Sequence, residues 1–333
     1  MNNSRLSISQ FSAGLASGDR IILSKAITLV ESNLPADQSL AAELIKHILP
    51  RTGNSLRIGI TGVPGVGKST FIESFGEVVT GAGKKIAVLT VDPSSQVTKG
   101  SILGDKTRMQ SLSKNPNAYI RPTASGNVLG GIANKTREAM LLCEAAGFEV
   151  IVIETVGVGQ SEVSVRNMVD FFLLLMLAGA GDELQGIKKG IMEMADAIAI
   201  TKADGDNVQQ ATKAQADFQH ALHLLPSKPS GWTPVVTTCS AVSNKGIEEV
   251  WKLILKFAAQ TENSGFFTRQ RNEQNARWFT EYFHQLLLTD FQRYDQLQGK
   301  LKLLSHAVQE QSESAYTAAH KLLEAYYAII RKG

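Results

Sequence analysis

The sequence predicts an α/β fold: a mostly parallel sheet flanked by helices, with helical extensions at both ends of the chain. From about Ser55 to Gln260, apolar β-branched segments alternate with longer helical patterns, the order expected when helices connect parallel strands. The residues before this region, and those after about Ser264, are patterned as helices alone. At 333 residues the chain is longer than one compact domain usually requires, so we expect a core domain with extensions.

Helices are predicted before the sheet begins. The segments "GDRIILSKAITLVESNL" and "DQSLAAELIKHIL" repeat apolar residues at helical spacing, with Pro35 between them and Pro50 after them. The predicted strands are "RIGIT", "KIAVLTVD", "AYIRPT", "EVIVIET", "FFLLLML", "AIAITK" and "PVVTTC". Because the carboxyl ends of parallel strands meet at one edge of a sheet, we expect ligands at that edge.

The last helices carry broad apolar stripes. In "RWFTEYFHQLLLTDFQRYDQL" and "SAYTAAHKLLEAYYAII", aromatic and aliphatic residues recur at helical spacing. These stripes could pack onto the chain's own central domain. A dimerisation arm is favoured, because a short helical hairpin does not easily bury two such stripes. We therefore expect an N-terminal helical extension over 1–53, a central domain over 54–262 and a C-terminal helical dimerisation region over 263–333.

Composition narrows the class of protein. The net charge is only +3 and no long basic run occurs, which makes nucleic acid a poor candidate partner. Cys143 and Cys239 are far apart and lack metal-ligand spacing, which fits a reducing, cytoplasmic compartment. The first residues lack the apolar core of a signal peptide, and "FFLLLMLAGAG" is too short to span a bilayer, so no membrane association is expected.

A phosphate-binding loop follows the first predicted strand. "GITGVPGVGKST" satisfies G-x-x-x-x-G-K-[ST] between a strand and a helix, the context that supports this motif. Glycines let backbone N–H groups surround phosphates, and the helix N-terminus adds partial positive charge. The pattern predicts a P-loop NTPase in which Lys68 reaches the β- and γ-phosphates and Ser69 ligates Mg²⁺. The nucleotide-binding residues of the loop are Gly62, Val63, Pro64, Gly65, Val66, Gly67, Lys68, Ser69 and Thr70.

Downstream segments predict that the base is guanine. "TKAD" places Asp204 just after a buried strand, where its carboxylate can accept from N1–H and the exocyclic amine of guanine, a donor pair that adenine lacks. The stem of Lys202 can pack along the base. This resembles the N-K-x-D motif of GTPases, with Thr201 replacing the Asn whose amide braces the loop. "TCSAVSNKG" resembles the final GTPase motif, with Ser240 and Ala241 beside the guanine oxygen.

Acidic residues complete the predicted site. Asp92 and Glu154 end two strands, where carboxylates suit Mg²⁺ directly or through water, and Asp105 lies in a loop that could close over the metal. Glu154 and Gly157 form E-x-x-G, similar to the D-x-x-G of GTPases. The alternative interpretation of these acidic residues is that they are ordinary helix caps or solvated surface charges. That alternative applies mainly to Asp105. The predicted metal ligands are Ser69, Asp92, Asp105 and Glu154, and the predicted catalytic residues are Lys68, Glu154 and Asp105.

These segments together closely resemble the MeaB/ArgK-type GTPases of the SIMIBI class of P-loop proteins. The resemblance is carried by "GITGVPGVGKST", "VLTVDPSS", "GSILGDKTRM", "ETVGVGQSEV", "LAGAGDELQGIKKGIMEMAD" and "ITKADGDN", which span most of the central region. It implies a GTPase chaperone that couples GTP binding and hydrolysis to cofactor loading and protection of an adenosylcobalamin-dependent acyl-CoA mutase, such as methylmalonyl-CoA mutase. It also implies a homodimer joined through the C-terminal helices.

The resemblance further implies that the loop containing Lys188 and Lys189 responds to the nucleotide and the partner. The expected chemistry is attack of water on the γ-phosphate, with Arg108 a candidate for an arginine finger and Gln160 a candidate for orienting the water. Two alternatives remain. An older label for the family describes a transport-system kinase, which would be a phosphotransferase. A metallochaperone GTPase would carry a Cys/His cluster that this sequence lacks.

Overall fold

The computed structural model describes residues 6–92, 109–124, 129–155, 161–179 and 189–331. Within these ranges only the backbone is described at 91–92, 123–124, 129–134, 161 and 189. The chain divides into two compact units, Met1–Gln274 and Asn275–Gly333. The predicted boundaries at 53/54 and 262/263 stay predictions.

The first unit begins with three helices, α1 (Ile8–Ala16), α2 (Arg20–Glu31) and α3 (Pro35–Ile48). Helix α1 was not predicted from the sequence, although Ser7 and Gln10 form a capping box at its start. Asp19 caps α2 by accepting from the backbone N–H groups of Ile21 and Ile22. Pro35 opens α3 as its first residue, where its missing N–H costs no hydrogen bond.

The sheet contains seven described strands, all parallel, in the order β3-β2-β4-β1-β5-β6-β7. Their bounds are β1 (Leu56–Gly62), β2 (Ile86–Asp92), β3 (Ala118–Ala124), β4 (Val150–Thr155), β5 (Phe171–Leu177), β6 (Ala197–Thr201) and β7 (Val235–Thr238). Every strand predicted from the sequence is confirmed. The central strands carry almost unbroken apolar runs because helices cover both faces.

Helices connect the parallel strands, as predicted for an α/β fold of the P-loop NTPase class. They are α4 (Lys68–Gly81), α5 (Gln110–Lys114), α6 (Leu129–Ala145), α7 (Ser161–Arg166), α8 (Lys189–Met194), α9 (Val208–His223) and α10 (Ile247–Asn263). One core lies between the sheet and helices α4 and α10. There Phe75 packs edge-on to Trp251 at 5.8 Å between ring centroids, which joins the two helices.

A buried charged cluster closes the amino-terminal edge of the sheet. Arg57 of β1 binds both carboxylate oxygens of Glu144, at 2.8 Å from Nε to Oε1 and 3.1 Å from Nη2 to Oε2. Arg271 binds both oxygens of Asp170, at 2.8 and 2.7 Å, and donates to the carbonyls of Gly53 and Ser55. This paired arrangement satisfies charges that would be costly to bury singly.

Helix α11 (Phe266–Gln292) runs from the first unit into the second, where α12 (Asp295–Gln309) and α13 (Ala315–Ile330) follow. The sequence pattern predicted one helix through Leu297, but α11 ends at Gln292 and a new helix begins after Tyr294. The Tyr326 ring of α13 packs edge-on to Phe291, and its hydroxyl donates to Asp290 Oδ2 at 2.9 Å, so part of the apolar stripe packs within this unit. Among the described residues, no helix has the length and apolarity needed to cross a bilayer.

Candidate functional site

The phosphate loop lies between β1, the middle strand of the sheet, and α4. Gly62 must be a glycine, because a Cβ there would lie 2.6 Å from the carbonyl oxygen of Leu175 in the neighbouring strand. Val66 is fully buried in the core and anchors the loop from beneath. Gly67 then turns the chain in the left-handed region, with φ at 93°, and α4 begins at Lys68. The first-turn N–H groups of α4 are therefore directed to the loop, as anion binding requires.

Lys68 is folded over this loop. Its Nζ donates to the carbonyl of Gly62 at 2.7 Å and lies 3.4 Å from that of Val63. Burial lowers the pKa of Lys68, and the nearby carboxylates of Glu154 and Glu162 oppose that shift. The negative charge of a bound phosphate would favour the ammonium form in the same way. The side chain is thus poised to meet an anion at the loop.

Ser69 and Glu154 meet beside the loop. Glu154 lies at the carboxyl end of β4 and is buried. Its Oε1 accepts a hydrogen bond from Ser69 Oγ at 3.3 Å. Next to it, the hydroxyls of Thr155 and Thr61 bond at 2.7 Å and tie the ends of β4 and β1 together. Asp92 ends β2, which pairs with β4, so its backbone lies on the same side of the loop. A hydroxyl and a carboxylate oxygen in contact form a donor set that suits Mg²⁺.

Thr201 joins the phosphate loop to the segment that follows β6. The sequence predicted that losing the usual Asn would remove a brace here, but the structure places a different one. The buried Thr201 hydroxyl lies 2.8 Å from the carbonyl oxygen of Val66 and 3.2 Å from that of Met176. The Thr201 side chain is shorter than the usual Asn but still reaches the phosphate loop. It can do so because β6 pairs with β5, and β5 pairs with β1, the strand that leads into the loop. The brace is therefore retained, with a hydroxyl as its donor.

The two segments predicted to bind the base lie side by side at the carboxyl ends of β6 and β7. Ser240 Oγ donates to the Asp204 carboxylate and accepts from the N–H of Ser243 at 3.1 Å. The N–H of Ala203 donates to the carbonyl of Cys239 at 3.0 Å, which holds the two segments together. Lys202 is exposed and adopts φ 55°, in the left-handed region, so its stem projects from the segment. Asp204 remains partly exposed and can meet a ligand.

The order of the strands divides the site into two sides. The ends of β4 and β2, with Glu154 and Asp92, lie on one side of the phosphate loop. The ends of β6 and β7, with Asp204 and Ser240, lie on the other. A ligand whose phosphates occupy the loop would therefore have the ends of β4 and β2 on one side and the segments that follow β6 and β7 on the other.

Other predicted residues lie outside the described part of the chain: Asp105, Arg108, Gly157, Gln160 and Lys188. The structure adds Glu162, which sequence reasoning did not single out. It is buried in the first turn of α7 and acts electrostatically on Lys68. The sequence feature that could have identified Glu162 is its position in "ETVGVGQSEV", shortly after the E-x-x-G pattern.

The remaining titratable candidates are structural. Burial raises the pKa of Cys239 to about 12, and Cys143 is likewise buried and free, so both thiols serve packing. His220 and His223 lie exposed in the last turn of α9. No group of three or more potential metal-binding His, Cys, Asp or Glu residues occurs among the described residues.

Comparison with known proteins shows the family. The family profile described as methylmalonyl-CoA mutase-associated GTPase MeaB matches residues 23–295. GTPase ArgK of Escherichia coli K12 is 49% identical over 286 residues, covering 84% of this chain and 86% of ArgK. The mouse methylmalonic aciduria type A homolog, a mitochondrial protein, is 43% identical over 323 residues, covering 94% of this chain and 78% of the mouse protein.

A solved structure agrees with these relatives. The crystal structure of a LAO/AO transport system kinase superposes with a TM-score of 0.77 at 38% identity and covers 98% of this chain and 99% of its own. The phosphate loop, the strand order and these matches, which extend over most of the chain, all lead to one conclusion. The chain belongs to the MeaB family of methylmalonyl-CoA mutase-associated GTPases.

Proposed function

We propose that this GTPase couples GTP binding and hydrolysis to cofactor loading and protection of an adenosylcobalamin-dependent acyl-CoA mutase. The observation that supports nucleotide binding most directly is that hydrogen bonds join the phosphate loop, the segment after β6 and the segment after β7 at one edge of the sheet. Thr201 connects the phosphate loop to the segment carrying Asp204, and Ser240 connects that segment to the next. Family membership supports the mutase as partner.

Guanine is selected by Asp204 and by the backbone N–H of Ala241. The carboxylate accepts from N1–H and the amine of the base, while the N–H donates to the guanine oxygen. Ser240 orients the carboxylate through the hydrogen bond that it donates. Adenine would leave Asp204 without the matching donors, and an unmatched polar group in a binding site gives strong discrimination.

Hydrolysis proceeds by attack of water on the γ-phosphate. Lys68 and the N–H groups of the phosphate loop stabilise the negative charge that develops on the phosphate oxygens. Ser69, Asp92, Asp105 and Glu154 would hold Mg²⁺, directly or through water, and Mg²⁺ would neutralise charge on the phosphates. The carboxylates of Glu154 and Glu162 add negative potential at Lys68 and oppose the lowering of its pKa by burial.

Base selectivity tests the first step. We expect calorimetry to show much tighter binding of GTP than of ATP by the parent protein. Asp204→Asn should weaken GTP and shift the preference towards xanthosine triphosphate, whose ring presents a different edge. Equal affinities of the parent for GTP and ATP would contradict the guanine assignment.

Coupling to the mutase is tested by the ratio of stimulated to basal GTP hydrolysis. We expect a cobalamin-dependent acyl-CoA mutase from the same cell to stimulate the parent. The variant Lys188→Ala should lose part of that stimulation and keep its basal rate, because nucleotide and partner affinities are linked reciprocally. An unchanged ratio would remove Lys188 from the coupling, and a parent that no mutase stimulates would contradict the chaperone proposal.

A phosphotransferase is the second candidate, favoured by the description of the solved relative as a transport system kinase. The two functions differ in where the phosphate goes. Incubation with γ-labelled GTP should release the label as inorganic phosphate if water is the acceptor. Label recovered on a protein or small molecule would instead support the transferase.

The C-terminal unit supports a homodimer as part of this proposal. Phe279, Phe283 and Leu286 recur on one face of α11 and are 75%, 50% and 52% exposed, respectively. Exposed aromatic and aliphatic residues at this spacing favour burial by a protein surface. The partner we propose is a second copy of this chain, since the family resemblance implies joining through these helices.

A further inference from the structure

Helix α4 contacts the 239–246 loop through one buried hydroxyl. Ser74 lies on α4 beyond the phosphate-binding residues, and its Oγ donates to the carbonyl oxygen of Ala241 at 3.0 Å. The two residues are 167 positions apart in the sequence. Ser74 thereby connects the helix that begins at Lys68 to the loop that follows β7.

The direction of this hydrogen bond distinguishes Ser74 from Thr80 and Thr261, two other helical residues with hydroxyl groups. Thr80, further along α4, donates to the carbonyl of Gly76 at 2.9 Å, and Thr261 in α10 donates to that of Phe257 at 2.8 Å. Both donated bonds stay within one helix, as is common for Ser and Thr, and Thr80 Oγ1 also accepts from Asn115 Nδ2 at 3.0 Å. Ser74 directs its hydroxyl out of α4, so the bond restrains a separate segment.

The 239–246 loop is restrained on both sides of the Ala241 N–H. Ser240 and Lys245 exchange backbone hydrogen bonds, at 2.9 Å from Ser240 N and 3.1 Å from Lys245 N. The Ser240 carbonyl, which accepts from Lys245, and the Ala241 N–H belong to the same peptide group. Because the N–H and C=O of a trans peptide point in opposite directions, the Ala241 N–H points away from Lys245. Ser74 fixes the next peptide of the chain by holding its carbonyl.

Packing makes this restraint stiff. The Phe75 ring, adjacent to Ser74, contacts Trp251 of α10, the helix that the loop enters. At the junction, a Cβ on Gly246 would lie 2.2 Å from the Thr238 carbonyl oxygen, so the backbone there passes very close to β7. The loop is therefore fixed by packing at its start, where Cys239 and Ser240 are buried, and at its end at Gly246, and the Ala241 carbonyl is held between them.

We propose that Ser74 is a positioning residue for guanine recognition, which it serves by orienting the Ala241 N–H towards the oxygen at C6 of the base. This inference rests on the proposed function, in which that N–H reads the oxygen. One rigid helix then sets both ends of the ligand, with Lys68 and Ser69 at the phosphates and Ser74 behind the base contact. The effect on binding is indirect, because Ser74 acts through the backbone of Ala241.

The test uses Ser74→Ala and three diphosphates measured by calorimetry: GDP, 6-thio-GDP and IDP. 6-Thio-GDP keeps N1–H and the amine of guanine and carries sulfur in place of the oxygen at C6. Because sulfur is a poor hydrogen-bond acceptor, this analogue loses most of the contact with the Ala241 N–H. IDP keeps the oxygen and lacks only the amine. We expect the variant to weaken GDP and IDP by the same factor, about threefold to tenfold. Binding of 6-thio-GDP should stay nearly unchanged.

A matched control is Thr80→Ala, which removes another hydroxyl from the same helix. Its affinities for all three diphosphates should equal those of the parent. Equal weakening of all three by Ser74→Ala would mean a general structural loss and would overturn the inference, as would unchanged GDP binding. A parent that binds GDP and 6-thio-GDP equally would show that Ala241 does not read the oxygen. That result would overturn the inference together with this part of the proposed function.

Discussion

At the scale of single residues, the Thr201 hydroxyl supports two segments at once. It is buried beneath the phosphate loop and within hydrogen-bonding distance of the carbonyls of Val66 and Met176. A buried carbonyl that loses its donor bears a desolvation cost that water does not repay. Thr201 therefore contributes both to stability and to the shape of the loop.

We expect Thr201→Val, which keeps the shape and removes the hydroxyl, to lower the free energy of unfolding by about 1–3 kcal/mol. GTP binding should weaken as well, because the carbonyl of Val66 would no longer be held. Urea denaturation and calorimetry measure the two effects. The matched control is Thr212→Val, whose hydroxyl bonds within α9 at an exposed position. If both variants were equally stable, the brace would have no energetic role.

Glu144 is the acidic member of the buried cluster at the sheet's amino-terminal edge. Burial acts to raise its pKa, but Arg57 and hydrogen bonds from Ser55 and Gly53 outweigh burial and hold the pKa below its usual value. A carboxyl whose folded pKa is depressed stabilises the fold above the unfolded pKa. That stabilisation is lost as pH falls through the folded pKa.

We expect Glu144→Gln to lower the free energy of unfolding by about 3–5 kcal/mol at pH 7, because the Arg57 guanidinium would stay buried without its carboxylate. The loss should shrink as urea unfolding is repeated at pH values that fall from the usual carboxyl pKa through the lowered pKa of the folded protein, where the parent also loses the charge. Glu149→Gln is the control, since its bond to Lys84 is partly exposed and such pairs are worth about 0–1 kcal/mol. A pH-independent difference would contradict the ionic origin.

At the scale of elements, the first turns of α11 are held to the sheet by side chains. Arg271 pairs with Asp170 and reaches the backbone before β1, while Gln270 and Gln274 donate to the carbonyl of Val169 at 2.9 Å. The Arg271 guanidinium also lies 4.3 Å from the Phe267 ring centroid. These contacts place the start of α11 firmly in the first unit.

We expect Arg271→Lys to destabilise the protein although the charge is kept. An ammonium cannot make the two parallel bonds to Asp170 and also reach the carbonyls of Gly53 and Ser55. The midpoint of urea unfolding should fall clearly below that of the parent. The control Arg269→Lys changes an exposed arginine two positions away, and its effect should stay within about 0.5 kcal/mol. Equal midpoints for both variants would show that the fork geometry is unimportant.

At the scale of the whole molecule, the proposed homodimer depends on the exposed face of α11. Phe279 and Phe283 are exposed in the single chain, so replacing them should not disturb the core of either unit. The double variant Phe279→Asp/Phe283→Asp would place charges where we propose that two copies meet. Desolvating those charges would be strongly unfavourable.

We expect the parent to sediment as a dimer at micromolar concentration and the double variant as a monomer that still binds GTP. Analytical ultracentrifugation measures the first and calorimetry the second. A conservative control is Phe279→Leu/Phe283→Leu, which keeps the face apolar and should remain dimeric. A parent that sediments as a monomer would refute the proposal.

The sequence by itself determined the elements and the type of site. Alternating apolar segments located every described strand, and the register of Gly67, Lys68 and Ser69 located the phosphate loop, because these signals lie within a few consecutive residues. It did less well where the signal is weak. Helix α1 is short, and the break near Arg293 interrupts an apolar pattern that continues across it.

Only the tertiary structure decided which distant groups meet. Thr201 contacts Val66, and Ser74 contacts Ala241, across 135 and 167 positions, respectively. Local periodicity shows that a segment is a strand or a helix but carries no information about its neighbours. The strand order, in which β1 lies between β4 and β5, sets those neighbours. That order follows from how all the apolar faces are buried together, so the contacts that brace the site appear only in the folded chain.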